Sequence, residues 1–94
     1  MVTEIATIEV AAGGEEPFEQ AMRNGGVGEL SACEGVRSVQ FGRCIESPTK
    51  FAFVVVWDSI EAHERARESE SFKRFRTAFG SHGIGGTMAH FDLR

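Results

Sequence analysis

The stretch Phe51–Phe79, FAFVVVWDSIEAHERARESESFKRFRTAF, decides how the whole chain is read. It opens on six apolar residues and a tryptophan, too short for a membrane span and rich in the β-branched and aromatic types that favour a strand. Phe51 to Trp57 therefore reads as a strand. Alternation puts Phe51, Phe53, Val55 and Trp57 on one face and Ala52, Val54 and Val56 on the other, so both faces are apolar and both need cover. Asp58 or Ser59 then caps a helix, with Glu61 placed to complete a capping box from Asp58 and with Ile60, His63, Ala66 and Arg67 on one side. A second cap at Ser69 or Ser71 opens another helical piece, whose Phe72, Phe75 and Phe79 recur at three- and four-residue spacing and return to the sheet.

Working outward, Thr3–Val10 alternates loosely, with Ile5 and Thr7 opposed to Ala6, Ile8 and Val10, and reads as a first strand ending before Gly13 and Gly14. Glu15, Glu16 and Pro17 suit a helix N-terminus, and Phe18, Ala21 and Met22 form its apolar side. Gly25, Gly26 and Gly28 predict a break at Asn24-Gly25-Gly26 and a short helical piece over Glu29–Cys33. Val36–Ile45 reads as a second strand, joined through Ser47-Pro48-Thr49 to the third. Gly80–Gly86 reads as a glycine-rich connector or lid, without the Lys-Ser/Thr of a P-loop. Thr87–Leu93 closes the chain as a fourth strand with Met88, His90 and Asp92 on one face.

The resulting order, β-α-β-β-α-β over residues 1–94 as one domain, is an α+β, ferredoxin-like arrangement with a four-stranded antiparallel sheet and helices on one face. The helices cover one face of the third strand only. A second copy of the chain is the economical cover for the other, so a homodimer is expected.

Trp57–His63, W-D-S-I-E-A-H, followed by S-E-S-F at Ser69–Phe72, resembles the antibiotic biosynthesis monooxygenase type of dimeric α/β barrel. That resemblance implies a cofactor-independent monooxygenase acting on a small aromatic or polyketide-like molecule. It also implies that Trp57 lines the substrate cavity. In the cofactor-free monooxygenases an asparagine four residues before that tryptophan helps hold the substrate oxygen; Phe53 stands there in this chain, which removes a polar group for an anionic substrate. In the haem-degrading branch a histidine follows the S-x-x-F phenylalanine by four residues; Arg76 stands there instead, and it cannot ligate iron as an imidazole does.

Composition narrows the remaining classes. Ninety-four residues, 41% apolar and 26% charged, with a net charge of −4, fit one soluble domain and argue against a nucleic-acid or anionic-membrane partner. MVTEIATIEV lacks the basic start and apolar core of a signal peptide, and a cytoplasmic address is the default. Cys33 and Cys44 lack zinc spacing and read as free, buried thiols.

The histidines supply the chemistry. His63 and His90 are candidate general bases, each with a structural alternative as a packed, hydrogen-bonded residue, while His82 reads as solvated. The three show neither HxxxH nor HxH spacing, so neither a metal site nor a bound cofactor is expected. Phe53, Trp57, Phe72 and Phe75 are the candidate walls of an aromatic cavity. Arg67, Arg74 and Arg76 read as a solvated face, from which Arg76 is the candidate to meet an anionic substrate. Two classes stay open: a cofactor-free monooxygenase in which a histidine removes a phenolic proton, and a non-catalytic, small-ligand-binding or stress-related dimer of the same fold.

Overall fold

The computed structural model describes residues 1–94. β1 (Val2–Val10) leads into α1 (Glu15–Ala21), a wide helical turn over Met22–Gly26 and α2 (Val27–Ser31). β2 (Val36–Arg43) and β3 (Lys50–Trp57) follow as a hairpin, then α3 (Ile60–Ala66), α4 (Glu70–Phe79) and β4 (Gly83–Phe91). The strands form one antiparallel sheet in the order β2-β3-β1-β4, the ferredoxin-like order expected from the sequence.

β3 is the axis of the core. Phe51, Phe53, Val55 and Trp57 are buried in strict alternation with the half-buried Ala52, Val54 and Val56. Register places Glu4, Ala6 and Ile8 of β1 beside Val55, Phe53 and Phe51, and His90 and Met88 of β4 beside Glu4 and Ala6. All of these share the inner face, under the helices. Phe18, Met22, Leu30, Cys33, Ala62, Ala66 and Phe72 complete the buried cluster from the helical side.

The two serines flanking α3 and α4 set the helix starts. Ser59 Oγ accepts from the Ala62 amide at 3.0 Å and Ser69 Oγ from the Phe72 amide at 3.1 Å. Ser59, and not Asp58, is thus the cap of α3, because the Asp58 carboxylate is taken by Arg37 at 2.6 Å.

Several boundaries differ from those read in the sequence. The first helix does not stop at Asn24-Gly25-Gly26; it kinks at Gly25 and continues at once as α2, starting at Val27 rather than Glu29. Gly26 explains the continuity: a Cβ there would lie 2.6 Å from Met22 Cε, so glycine lets the turn close over a buried methionine. β2 ends at Arg43, short of Ile45, which is exposed. β4 begins at Gly83 and ends at Phe91, so part of the expected connector is strand. Gly83, Gly85 and Gly86 pair with Val10, Glu9 and Ile8, and a Cβ on Gly86 would meet the Thr7 carbonyl oxygen at 2.2 Å. The glycines permit a close approach of two strands here. Cys33 is buried and Cys44 only half-buried; both are free thiols. His82 is half-buried, edge-on to Phe18 at 6.2 Å between centroids, rather than solvated.

The outer face of the sheet carries no helix. Ile5, Ala52, Val54, Val56, Ala89 and Phe91 stand on it by alternation and register, with Ile5 37% and Phe91 44% exposed. No helix in the chain is long and apolar enough to cross a membrane.

Candidate functional site

A cavity of about 350 Å³ lies between the inner face of β1 and β4 and the helices α2 and α4. Its apolar wall is built by Ala6, Ile8, Leu30, Phe53, Val55, Phe72, Phe75 and Phe79. The phenylalanines are mutually braced: Phe75 meets Phe53 edge-on at 5.7 Å and packs against Phe72 at 5.5 Å and Phe79 at 6.0 Å. Gly85, Gly86 and Met88 of β4 form the opposite side. Met88 is 47% exposed, so the cavity meets solvent along this edge strand. The volume suits a small or medium organic molecule.

Glu4 and His63 are the ionisable side chains on this wall. β1 aims Glu4 inward, α3 carries His63 over the end of the sheet, and both are buried. A buried carboxylate needs partners. Glu4 Oε1 accepts the Trp57 indole N–H at 2.9 Å and lies 3.6 Å from His63 Nε2. The other imidazole nitrogen, Nδ1, is 2.8 Å from His90 Nε2. The His63 ring lies nearly parallel to the indole of Trp57, 12° and 4.4 Å apart. His63 and His90 are therefore hydrogen-bonded, the Glu4 carboxylate stands just beyond hydrogen-bond distance of the other imidazole nitrogen, and an aromatic stack fixes the His63 ring.

Burial lowers the His63 pKa from its ordinary 6.5; Arg67 and His90 act in the same direction, while Glu4 and Glu64 oppose them. Burial thus favours the neutral imidazole, which can take a proton at one nitrogen. The donor of the 2.8 Å contact is set by the tautomer: with Nδ1–H donating to His90 Nε2, Nε2 is the nitrogen left to accept a proton. The same three residues each put one potential metal-donor atom within 4.8 Å of the others.

The structure puts the sequence-predicted residues in four places. Phe53, Phe72, Phe75 and His63 are brought together on the cavity wall. Trp57 is not on it: fully buried, it stands behind His63 and holds Glu4, because its place at the end of β3 lies under α3 rather than under α4. His90 reaches the site through His63. Arg76 is exposed, its guanidinium 4.9 Å from the Phe72 ring centre on the outer side of α4, and it does not line the cavity. Glu4 is the residue that sequence reasoning missed. Its signal was an acid in phase with Ala6, Ile8 and Val10, on the core side of a strand.

With this geometry in place, relatedness can be read. The chain is a ferredoxin-like α+β protein with a buried imidazole beside a phenylalanine-lined cavity. The family model for antibiotic biosynthesis monooxygenase matches residues 1–78, and the chain belongs to that family. A candidate antibiotic biosynthesis monooxygenase from Bordetella bronchiseptica is 26% identical, with a TM-score of 0.88 over 99% of this chain and 96% of that one. PA3566 from Pseudomonas aeruginosa is 24% identical, with a TM-score of 0.82 over 99% and 93% of the two chains. SnoaB, a cofactor-independent oxygenase from Streptomyces nogalater, is 18% identical with a TM-score of 0.81 over 99% and 92%; these last two likenesses show the fold alone. No curated protein matches the chain.

Proposed function

We propose that the protein is a cofactor-independent monooxygenase that oxidises a small phenolic or polyketide-like aromatic in the cavity, with His63 as the general base. The observation that carries this reading is the position of His63: it is on the cavity wall, biased by burial towards its neutral form, and held between Glu4, Trp57 and His90. Family membership and the cofactor-independent oxygenase SnoaB among its structural relatives support it.

In this mechanism the phenylalanine walls bind the aromatic body and exclude water, and His63 takes the phenolic proton. The positive charge that develops on the ring is opposed by the Glu4 carboxylate and shared with His90, which lies nearer solvent. Dioxygen then accepts electrons from the delocalised anion and forms the new C–O bond. The peroxide anion takes back the proton held by the His63 imidazolium, and the hydroperoxide, whose carbon still bears a hydrogen, loses water to leave a carbonyl at the oxidised carbon. Phe53 and Phe75 orient the substrate in this scheme, and neither contributes charge.

The outer face of the sheet seats a second copy of the chain, giving a homodimer. Its support is the row of apolar side chains Ile5, Val54, Val56 and Phe91 on a face that no helix of the chain covers.

Oxygen uptake with a panel of phenols and anthrones tests the enzyme reading: wild type consumes oxygen, and His63→Ala loses about 10²-fold or more of the rate. Undiminished turnover in His63→Ala removes the assignment. A second reading, ligand binding without turnover, is favoured by Phe53, which puts a hydrocarbon ring in the cavity wall where a donor to an oxyanion would stand.

A further inference from the structure

We propose that Glu4, His63 and His90 form a binding site for a divalent late transition ion, zinc(II) foremost, at the inner edge of the cavity. The inference goes beyond the oxygenase reading and does not depend on it. Glu4 and His90 are direct partners in the β1–β4 register, so two adjacent strands aim both side chains at one point on the inner face. α3 lowers His63 onto the same point. The donor atoms of the three lie within 4.8 Å of one another. A tetrahedral ion bound at about 2.0–2.2 Å from nitrogen and oxygen holds its donors roughly 3.3–3.6 Å apart, so side-chain rotations that move the donor atoms by up to about 1.5 Å close the site.

The donor chemistry selects the ion. Two imidazoles and one carboxylate suit zinc, nickel, cobalt or copper, whereas magnesium and calcium take oxygen ligands. Glu4 already has one oxygen, Oε1, fixed by the Trp57 N–H at 2.9 Å, which leaves Oε2 for an ion and supplies the outer hydrogen bond that orients a ligating carboxylate. The 2.8 Å separation of His63 Nδ1 and His90 Nε2 is that of two nitrogens sharing a proton, and a cation substitutes for that proton. Three protein ligands leave a coordination position open, and because Glu4 and His63 both line the cavity, that position faces it. An ion and the general base are then mutually exclusive: an imidazole engaged by metal accepts no proton, so zinc silences the base.

Cobalt(II) titration of the chelator-treated, full-length chain is the direct test, since it reads coordination without turnover. Visible ligand-field bands of four- or five-coordinate cobalt should saturate at one ion per chain and disappear when zinc is added. His90→Ala removes a ligand from an edge strand and should weaken binding by about tenfold or more. Glu4→Gln should do the same, and His82→Ala, a histidine outside the site, should change nothing. Circular dichroism on each variant separates lost ligation from lost fold. No ligand-field band at one equivalent of cobalt, or a band of undiminished affinity in folded His90→Ala and Glu4→Gln, overturns the proposal. Neither result bears on whether the protein consumes oxygen in chelator, so the metal site and the oxygenase reading fail separately.

Discussion

Replacing Trp57 by phenylalanine separates the core from the cavity. The indole is fully buried, and its N–H is the 2.9 Å partner of Glu4 Oε1. Phenylalanine keeps a ring to stack on His63 but deletes that donor, and a hydrogen bond to a charged group contributes about 1.5–3 kcal/mol. The smaller ring also gives up roughly 2 kcal/mol of apolar burial and packing. The sum, about 3.5–5 kcal/mol, corresponds to a fall in melting temperature of at least about 14 °C for a domain of this size. Affinity for an aromatic reporter in the cavity should stay within about twofold, because Trp57 is not among the lining residues. Differential scanning fluorimetry and reporter titration on the same preparation provide both readings. A Trp57→Phe protein that melts within about 4 °C of wild type, or one that keeps its stability and loses the reporter, refutes the placement of Trp57 behind the site.

His63→Ala should lower turnover by about 10²-fold while costing about 1–3 kcal/mol from its lost hydrogen bond and stack; a variant that is destabilised yet turns over normally assigns His63 to structure alone. Stability should also depend on pH through this residue. Burial holds the folded-state pKa of His63 below the ordinary 6.5, so its contribution is complete above about pH 6.5 and is lost as pH falls through the lower folded value, by at most about 1.4 kcal/mol per pH unit. Burial first, then Glu4 and His90 from the sheet and Glu64 and Arg67 of α3 and its C-cap, set that window. Urea denaturation from pH 8 to pH 5 checks it, and a wild-type slope equal to that of His63→Ala would exclude His63 as the source. On the outer face, Val54→Asp places a charge where a partner subunit is proposed and should dissociate and unfold the chain together, with an interface on the order of 2,000 Å² at stake; sedimentation showing a folded, soluble Val54→Asp monomer contradicts that.

The fold was legible where local chemistry and tertiary context agree. The doubly apolar run of β3 reads as a strand in the sequence and is one in the structure, and of the cap candidates offered for α3 and α4 the structure takes Ser59 and Ser69. Ambiguity stayed where they conflict. Glycine is a poor strand former, so Gly83–Gly86 read as a connector, yet the close pass of β4 over Thr7 admits no Cβ at Gly86. The strand there is dictated by its partner, and a partner is invisible to a propensity. The same applies to the kink at Gly25, where a break was expected and the burial of Met22 under Gly26 carries the helix onward.

The site follows a similar division. His63 was visible because it sits in a capped helix directly after the organising strand, and the phenylalanines because their spacing marks one helical face. Glu4 was not, because in a loosely alternating strand an acid reads as a solvated position, and its burial is decided by Trp57, 53 residues away. His90 is paired with it only through the register of two strands at opposite ends of the chain. Yet the sequence holds a usable trace: Glu4 is in phase with Ala6, Ile8 and Val10, and His90 with Met88 on a strand expected to pair with the first. An acid and a histidine on the core faces of neighbouring strands have to satisfy each other or bring in a third group. The helix supplies that group as His63. The Trp57 and His90 hydrogen bonds and the proposed ion site are two ways of meeting the same requirement, that buried polar groups of Glu4 and His63 find partners.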